Sequence, residues 1–152
     1  RRVLFRSSGF EHTIAFADEA IVVVNPEVSS IRDADRAIGI VDSKSQKVKN
    51  NEEVQKHLII NRINPEMIER EEMLRTDDIL DILAINLIGK IPEDRKIVEA
   101  SNSGVPVIYD KYSIAGEAYK RVAMRIVGKD IAFKDIENNN KGMLAKLKGL
   151  FK

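Results

Sequence analysis

Ala20-Ile-Val-Val-Val-Asn25 decides the fold class. Ile21 to Val24 are all β-branched, and no polar residue interrupts them. Such a run lacks the polar face of a half-solvated strand, so it reads as a strand buried on both faces of a parallel sheet. Pro26 ends it, because proline cannot donate to a sheet ladder. On the upstream side, Gly9 to Ala17 reads as the end of a short helix, and Asp18-Glu19 leads into the strand.

Downstream, Ser29 or Ser30 can cap a helix, and Ser30-Ile-Arg-Asp33 fits a variant of the capping box. Ile31, Ala34, Ile38 and Val41 recur at helical spacing, with Arg32, Asp33, Asp35 and Arg36 largely on the opposite face. Ser43 to Glu53 reads as a polar loop or a frayed helix end. His57-Leu-Ile-Ile-Asn61 is a second strand, and Asn64-Pro65 a turn. Thr76 caps a helix whose first turn holds Asp77 and Asp78, where acid suits the dipole. Asn86 to Ile91 is a third strand, stopped by Pro92. Glu93 to Ser101 is helical, Val105 to Tyr109 is a short extended piece, and Ser113 opens a helix to about Val127 that Gly128 stops. Strands alternating with helices predict an α/β fold with a mostly parallel, doubly wound sheet. The packed body is expected over residues 9–128, followed by a polar linker over 129–140. Arg1 to Ser8 carries no helix or strand period and is expected to be a non-native or disordered leader.

The 152 residues are 43% hydrophobic and 32% charged, which suits a globular chain rather than a disordered one. A net charge of +1 excludes a general polyanion binder, and no basic-aromatic array for nucleic acid is present. The absence of cysteine excludes disulfides and thiolate metal sites. His12 and His57, the only histidines, have no nucleophile or metal cluster beside them in the sequence.

Lys141 to Lys152 is different in kind. On a helix turning about 100° per residue, Met143, Leu144, Leu147, Leu150 and Phe151 fall within an arc of about 120°. Lys141, Lys148 and Lys152 lie beside or opposite that arc, and Lys146 can snorkel from its other flank. No acid occurs from Lys141 onward. A C-terminal amphipathic helix on an anionic membrane surface is therefore expected. Burying the five apolar side chains contributes at most roughly 7–15 kcal/mol, whereas ordering the segment costs about 10–20 kcal/mol. Each lysine near anionic lipid adds about 1 kcal/mol. One tail is marginal, and two on a dimer hold through effective concentration. The alternatives are a helix packed back on its own domain and a helix held in a calmodulin-like partner groove.

The order of these pieces resembles the ParA/MinD family of deviant P-loop ATPases over nearly the whole chain. The residues that carry the resemblance are Ala17 to Arg36 (ADEAIVVVNPEVSSIRDADR), Ile60 to Pro65, Ile91-Pro-Glu-Asp94 with Glu99-Ala-Ser-Asn102, and the basic tail. The resemblance implies a P-loop NTPase-like fold with its N-terminal half missing. It implies ATP with Mg2+ as the cofactor of the full-length protein, and an ATP-state homodimer. It implies peripheral attachment to the cytoplasmic face of the inner membrane through paired tails. It also implies a MinC-like division inhibitor carried by the ATP form, a MinE-like partner that stimulates hydrolysis and release, and a role in placing the division septum. By position, Asn61, Arg62, Ile91, Pro92, Glu93 and Asp94 match segments around the adenine base. Ser29, Ser30, Arg32, Asp33, Asp35 and Arg36 match a partner and dimer surface, although a solvated helix face explains the same residues. Met143, Leu144, Lys146, Leu147, Lys148, Leu150, Phe151 and Lys152 match the membrane segment.

The departure from the family is large. No G-x-x-x-x-G-K-[ST] phosphate loop occurs in these residues. The chain alone is expected neither to hydrolyse ATP nor to bind it tightly. A flagellar-number or DNA-partitioning relative of the same fold, and a non-enzymatic membrane tether, are the alternative readings.

Overall fold

A computed structural model of the protein describes residues 8–137. Residues 1–7 of the expected leader, the end of the expected linker and the whole amphipathic tail lie outside the described residues. Three strands, β1 (Glu19–Val24), β2 (Gln55–Ile63) and β3 (Asn86–Pro92), form one parallel sheet in the order β1-β2-β3. Seven helices accompany them among the described residues: α1 (Ser8–Ala15), α2 (Val28–Lys44), α3 (Gln46–Lys49), α4 (Pro65–Glu69), α5 (Thr76–Leu83), α6 (Lys96–Ser103) and α7 (Ile114–Ile126).

The sheet is covered on both faces, as its sequence pattern requires. Alternate residues of β2 point to opposite sides. Leu58 and Ile60 join Val24 of β1, Ile31, Ala34 and Ile38 of α2, and Ile79 and Leu83 of α5 in the main core. Ile59 points the other way and packs with Ile88, Ile91 and the Ala115, Ala118 and Val122 stripe of α7. Gly89 lets α7 approach closely: a Cβ there would sit 2.4 Å from a Val122 methyl. The α/β class expected from the sequence is the observed one. β1 departs from its expected double burial. Val24 is buried and Val22 packs on the main core, but Ile21 and Val23 are 48% and 58% exposed. α7 lies over β3 and leaves that face of β1 uncovered among the described residues.

Several helix starts differ from expectation for local reasons. α2 begins at Val28 behind Glu27, with no side-chain cap. Ser30 is occupied otherwise, since its Oγ accepts the Asn25 N–H at 3.1 Å and so satisfies a donor at the end of β1. Ser45 caps α3 inside the stretch read as a loop, its fully buried hydroxyl accepting the Val48 N–H. Arg75, not Thr76, holds the cap position of α5, and Asp78 accepts the Arg75 N–H at 3.3 Å. Val105 to Tyr109 is not extended. Pro106 accepts from the Tyr109 N–H at 3.1 Å, and Val107–Tyr109 closes into a 3-10 turn. Ser113 does cap α7, its Oγ accepting the Gly116 N–H at 2.9 Å, and Gly128 follows the helix at φ 81°.

The start of the expected linker is packed. Arg125 donates to the carbonyls of Ile131 at 2.9 Å and Ala132 at 3.0 Å, and its guanidinium stacks 3.9 Å from the Phe133 ring centre. Ile136 reaches the main core, and Glu137 accepts from the hydroxyl and N–H of Thr76. Residues 129–137 thus form a strap from the end of α7 to the start of α5. No helix of the described residues is long and apolar enough to cross a membrane.

Candidate functional site

Parallel strands bring all three carboxyl ends to one side of the sheet, where α/β folds place their ligands. At the end of β2 the ladder to β3 slips between Ile60 and Ile63. Asn61 and Arg62 occupy this bulge, and Arg62 adopts the left-handed φ of 57°. That conformation costs a non-glycine residue on the order of 1 kcal/mol. It accompanies a clasp: the Arg62 guanidinium donates to Glu93 Oε1 at 3.1 Å, and the Asn64 amide donates to Oε2 at 2.9 Å. The Glu93 N–H donates to the Ile63 carbonyl at 2.9 Å, so the ends of β2 and β3 are tied twice. The Asn64 hydrogen bond, followed by that of Arg62, holds the Glu93 carboxyl below its usual range against a smaller opposing effect of burial.

Asp94 secures the next layer. Its Oδ2 accepts from the Ser113 hydroxyl at 2.6 Å and the Ala115 N–H at 3.1 Å, and its Oδ1 from the Lys96 N–H at 2.9 Å. Burial pushes this carboxyl up, yet the Ser113 hydroxyl and the Lys96, Ala115 and Ile114 amides outweigh it and hold the group below the usual carboxylate range. One side chain therefore joins the end of β3 to the starts of α6 and α7.

Between these ties lies a broad cleft of about 1490 Å³. Asn61, Arg62, Pro92, Glu93 and Asp94 line it, so five of the six residues expected around a base converge there. Ile91 does not. Its side chain is fully buried against α7, because strand alternation turns it away from the opening. Asn61 is half-buried, and the Tyr119 hydroxyl stands 3.5 Å from its Oδ1. Ile97, Val98 and Ile114 supply apolar wall, and the strap closes one side with Lys134 to Glu137. An amide carrying both donor and acceptor beside apolar walls suits the edge and faces of a planar heterocycle. The adenine end of a nucleotide thus fits the residues present. Its phosphates do not find a Gly-rich lysine loop in this sequence, and no group of three or more His, Asp or Glu suited to a metal occurs among the described residues.

The second expected surface begins at the same end of the sheet. Arg32, Asp33, Asp35 and Arg36 are exposed on the first turns of α2, together with Ser29, while Ser30 is half-buried on Asn25. Asp33 and Arg36 pair at 3.7 Å, an exposed contact of small energy. The tail residues Met143 to Lys152 lie outside the described residues.

Sequence reasoning missed Asn64, Ser113, Tyr119 and the strap. Asn64 caps α4, its Oδ1 accepting the Glu66 and Met67 N–H groups at 3.0 and 3.3 Å. Asn-Pro and a serine before a helix were visible as capping signals. Nothing local shows that the same side chains also reach carboxylates 29 and 19 residues away.

No family model matches the chain. It is 48% identical over 144 residues to the septum site-determining protein MinD of Helicobacter pylori, covering 95% of this chain and 53% of that one. The Escherichia coli K12 protein of the same name is 48% identical over 135 residues, covering 88% and 50%. Among solved structures, the MinC:MinD cell division protein complex of Aquifex aeolicus superposes with a TM-score of 0.73 at 41% identity, over 86% of this chain and 51% of that one. The Pyrococcus horikoshii MinD complexed with Mg-ADP gives 0.57 at 27% identity, over 72% and 41%. The chain spans about half the length of the curated relatives it matches. Three of these matches extend over 86–95% of this chain, in sequence and in fold, and this chain belongs to the MinD family.

Proposed function

We propose that this chain supplies the base-binding and membrane-contacting part of a MinD-type ATPase that cycles on and off the inner membrane to place the division septum. One observation carries the reading: the Asn61 amide and the Pro92–Asp94 backbone meet in an apolar-walled cleft at the carboxyl ends of parallel strands. That a relative was solved with Mg-ADP, and another in a complex with MinC, supports the nucleotide and the division-inhibitor partner.

In this reading Asn61 hydrogen-bonds the base edge, and the backbone after Pro92 completes the contact. The Arg62–Glu93–Asn64 clasp keeps the bulge in shape, and Asp94 fixes the cleft rim by holding α6 and α7. The nucleotide supplies its phosphates and Mg2+ to groups that these 152 residues do not contain. ATP-dependent homodimerisation brings two tails to anionic lipid. The α2 face of Arg32, Asp33, Asp35 and Arg36 receives the MinC-like and MinE-like partners. The protein is then cytoplasmic and peripheral on the membrane.

Titration of the 15N-labelled chain with Mg-ATP tests the cleft. The expected result is weak, millimolar binding, with amide shifts centred on Asn61 to Asn64 and Glu93 to Lys96 that Asn61→Ala diminishes. Shifts elsewhere, or equal shifts with Mg-GTP, overturn it. Flotation with anionic vesicles tests the tail: recovery must fall when Lys141–Lys152 is removed, and equal recovery rejects the membrane role.

A further inference from the structure

Four cationic side chains meet around one small cavity, and no acid lines it. Lys90 of β3, Arg121 and Arg125 of α7 and Lys134 of the strap surround a space of about 10 Å³, together with Phe133 and Ile136. We infer that this cavity is an anion site that takes the phosphate group of a ligand, separate from the large cleft at the strand ends.

The cations lack counter-charges. Among the described residues none of the four forms an ion pair with a carboxylate. Neighbouring carboxylates are engaged elsewhere: Glu117 accepts from Lys120 at 2.7 Å, and Glu137 accepts from Thr76. Lys90, Arg121 and Arg125 are half-buried, so water reaches their charges only in part. Arg121 and Arg125 also stand four residues apart on α7, a like-charge spacing that destabilises a helix. Burial, and after it the charge of Arg121, pushes the Arg125 guanidinium below its usual pKa, and Asp130 offsets a smaller part. An anion held between the two guanidinium groups replaces that repulsion with two attractions.

Arg125 is oriented in advance. A guanidinium carries five N–H donors. Its Nε, Nη1 and Nη2 each donate once, to the carbonyls of Ile131, Ile88 and Ala132, so one N–H on each Nη remains. The Phe133 ring, 3.9 Å away, fixes the plane of the group. Donors held in this way lose little side-chain freedom when they bind.

The size of the cavity selects the ligand. About 10 Å³ admits one oxygen atom and no whole polyatomic ion. A tetrahedral phosphate can place one oxygen inside and keep the others outside for Arg121 and the exposed Lys134. A phosphate monoester also carries about −1.5 to −2 charge at pH 7, more than one carboxylate brings to four cations. A phospholipid headgroup and a phosphate free in solution share this chemistry.

Arg121, Lys134 and Ile136 line both the cavity and the large cleft, whereas Lys90, Arg125 and Phe133 line the cavity alone. Titrating the 15N-labelled 152-residue chain with sodium phosphate, against sodium chloride at matched ionic strength, uses that difference. The expected result is saturable, millimolar binding with shifts at the Lys90 and Phe133 amides and the Arg125 Nε–H. The Arg121→Gln/Lys134→Gln variant should keep its circular dichroism spectrum, since one side chain is half-buried and the other exposed. It should bind phosphate roughly tenfold more weakly. The absence of saturable shifts, equal shifts with acetate, or shifts centred on Asn61 and Glu93 overturns the proposal. Flotation of the same two proteins, tails intact, with phosphatidylglycerol–phosphatidylcholine vesicles then identifies the source. Lower recovery of the variant, together with competition by free phosphate, assigns a lipid headgroup. Equal recovery of the two assigns a phosphate in solution.

Discussion

β3 and β1 lie on opposite flanks of one sheet, and among the described residues only β3 carries a helix over the face turned away from the main core. β3 has α7 on one face, Gly89 drawn against Val122, Arg125 on the Ile88 carbonyl and Asp94 locking its end. β1 has its inner face in the main core, and among the described residues nothing covers Ile21 and Val23 on its other face. β-branched residues make a strand, but what covers the strand comes from segments far along the chain. Stability should therefore be unevenly distributed between the flanks, and substitutions can measure how unevenly.

The largest loss is expected at Ile91. Its side chain is fully buried between β2 and α7. Ile91→Ala should lower the unfolding free energy by about 2–5 kcal/mol, from lost apolar contact plus the cavity left behind. Urea denaturation measures it. A loss no greater than that of an exposed β1 position would abolish the contrast between the flanks.

Asp94 comes next and carries a pH signature. Its carboxyl sits below the usual range when folded. A depressed folded pKa stabilises the fold above the unfolded value, near 4, and that contribution disappears as pH falls through the folded value. Asp94→Asn keeps one acceptor but loses the charge facing three donors. It should cost about 1–3 kcal/mol at neutral pH and flatten the acid limb of a Tm-versus-pH curve. An unchanged acid limb would mean that the Ser113, Lys96 and Ala115 contacts do not stabilise the ionised form.

These two residues show what could be read from the chain and what could not. The three strands and the α7 start at Ser113 follow from local signals, β-branched runs, capping residues and proline stops, whereas the convergence of Asn61 with Pro92 to Asp94 was implied only by the family resemblance. The burial of Ile91 was legible in principle from alternation along β3, and it is what removes that residue from the cleft. The left-handed Arg62 was not legible, because its conformation goes with a ladder slip and a carboxylate 31 residues away. The strap was not legible either. Residues 129–137 are mostly polar, and what pins them is one guanidinium reaching several carbonyls and one isoleucine finding the core. The exposure of Ile21 and Val23 among the described residues escaped for the same reason: a β-branched run states its preference for burial, not which segment covers it.

Arg125→Ala sharpens the β3 side at smaller cost. It removes three hydrogen bonds to carbonyls and the stacking on Phe133. The expected loss is about 1–2 kcal/mol. The specific readout is faster amide exchange over residues 129–137, with β1 and β2 unaffected. Uniform acceleration would make the strap an inseparable part of the core.

The smallest effect is expected at Val23, and its neighbour Val24 supplies the contrast. Val23 is 58% exposed and Val24 is 2% exposed, although the two are identical in type and adjacent in sequence. Val24→Thr buries a hydroxyl in the main core and should cost about 1–3 kcal/mol. Val23→Thr should stay within about 0.5 kcal/mol of the parent, as surface substitutions do. Urea denaturation of the two variants checks this: equal losses would mean that β1 is covered on both faces.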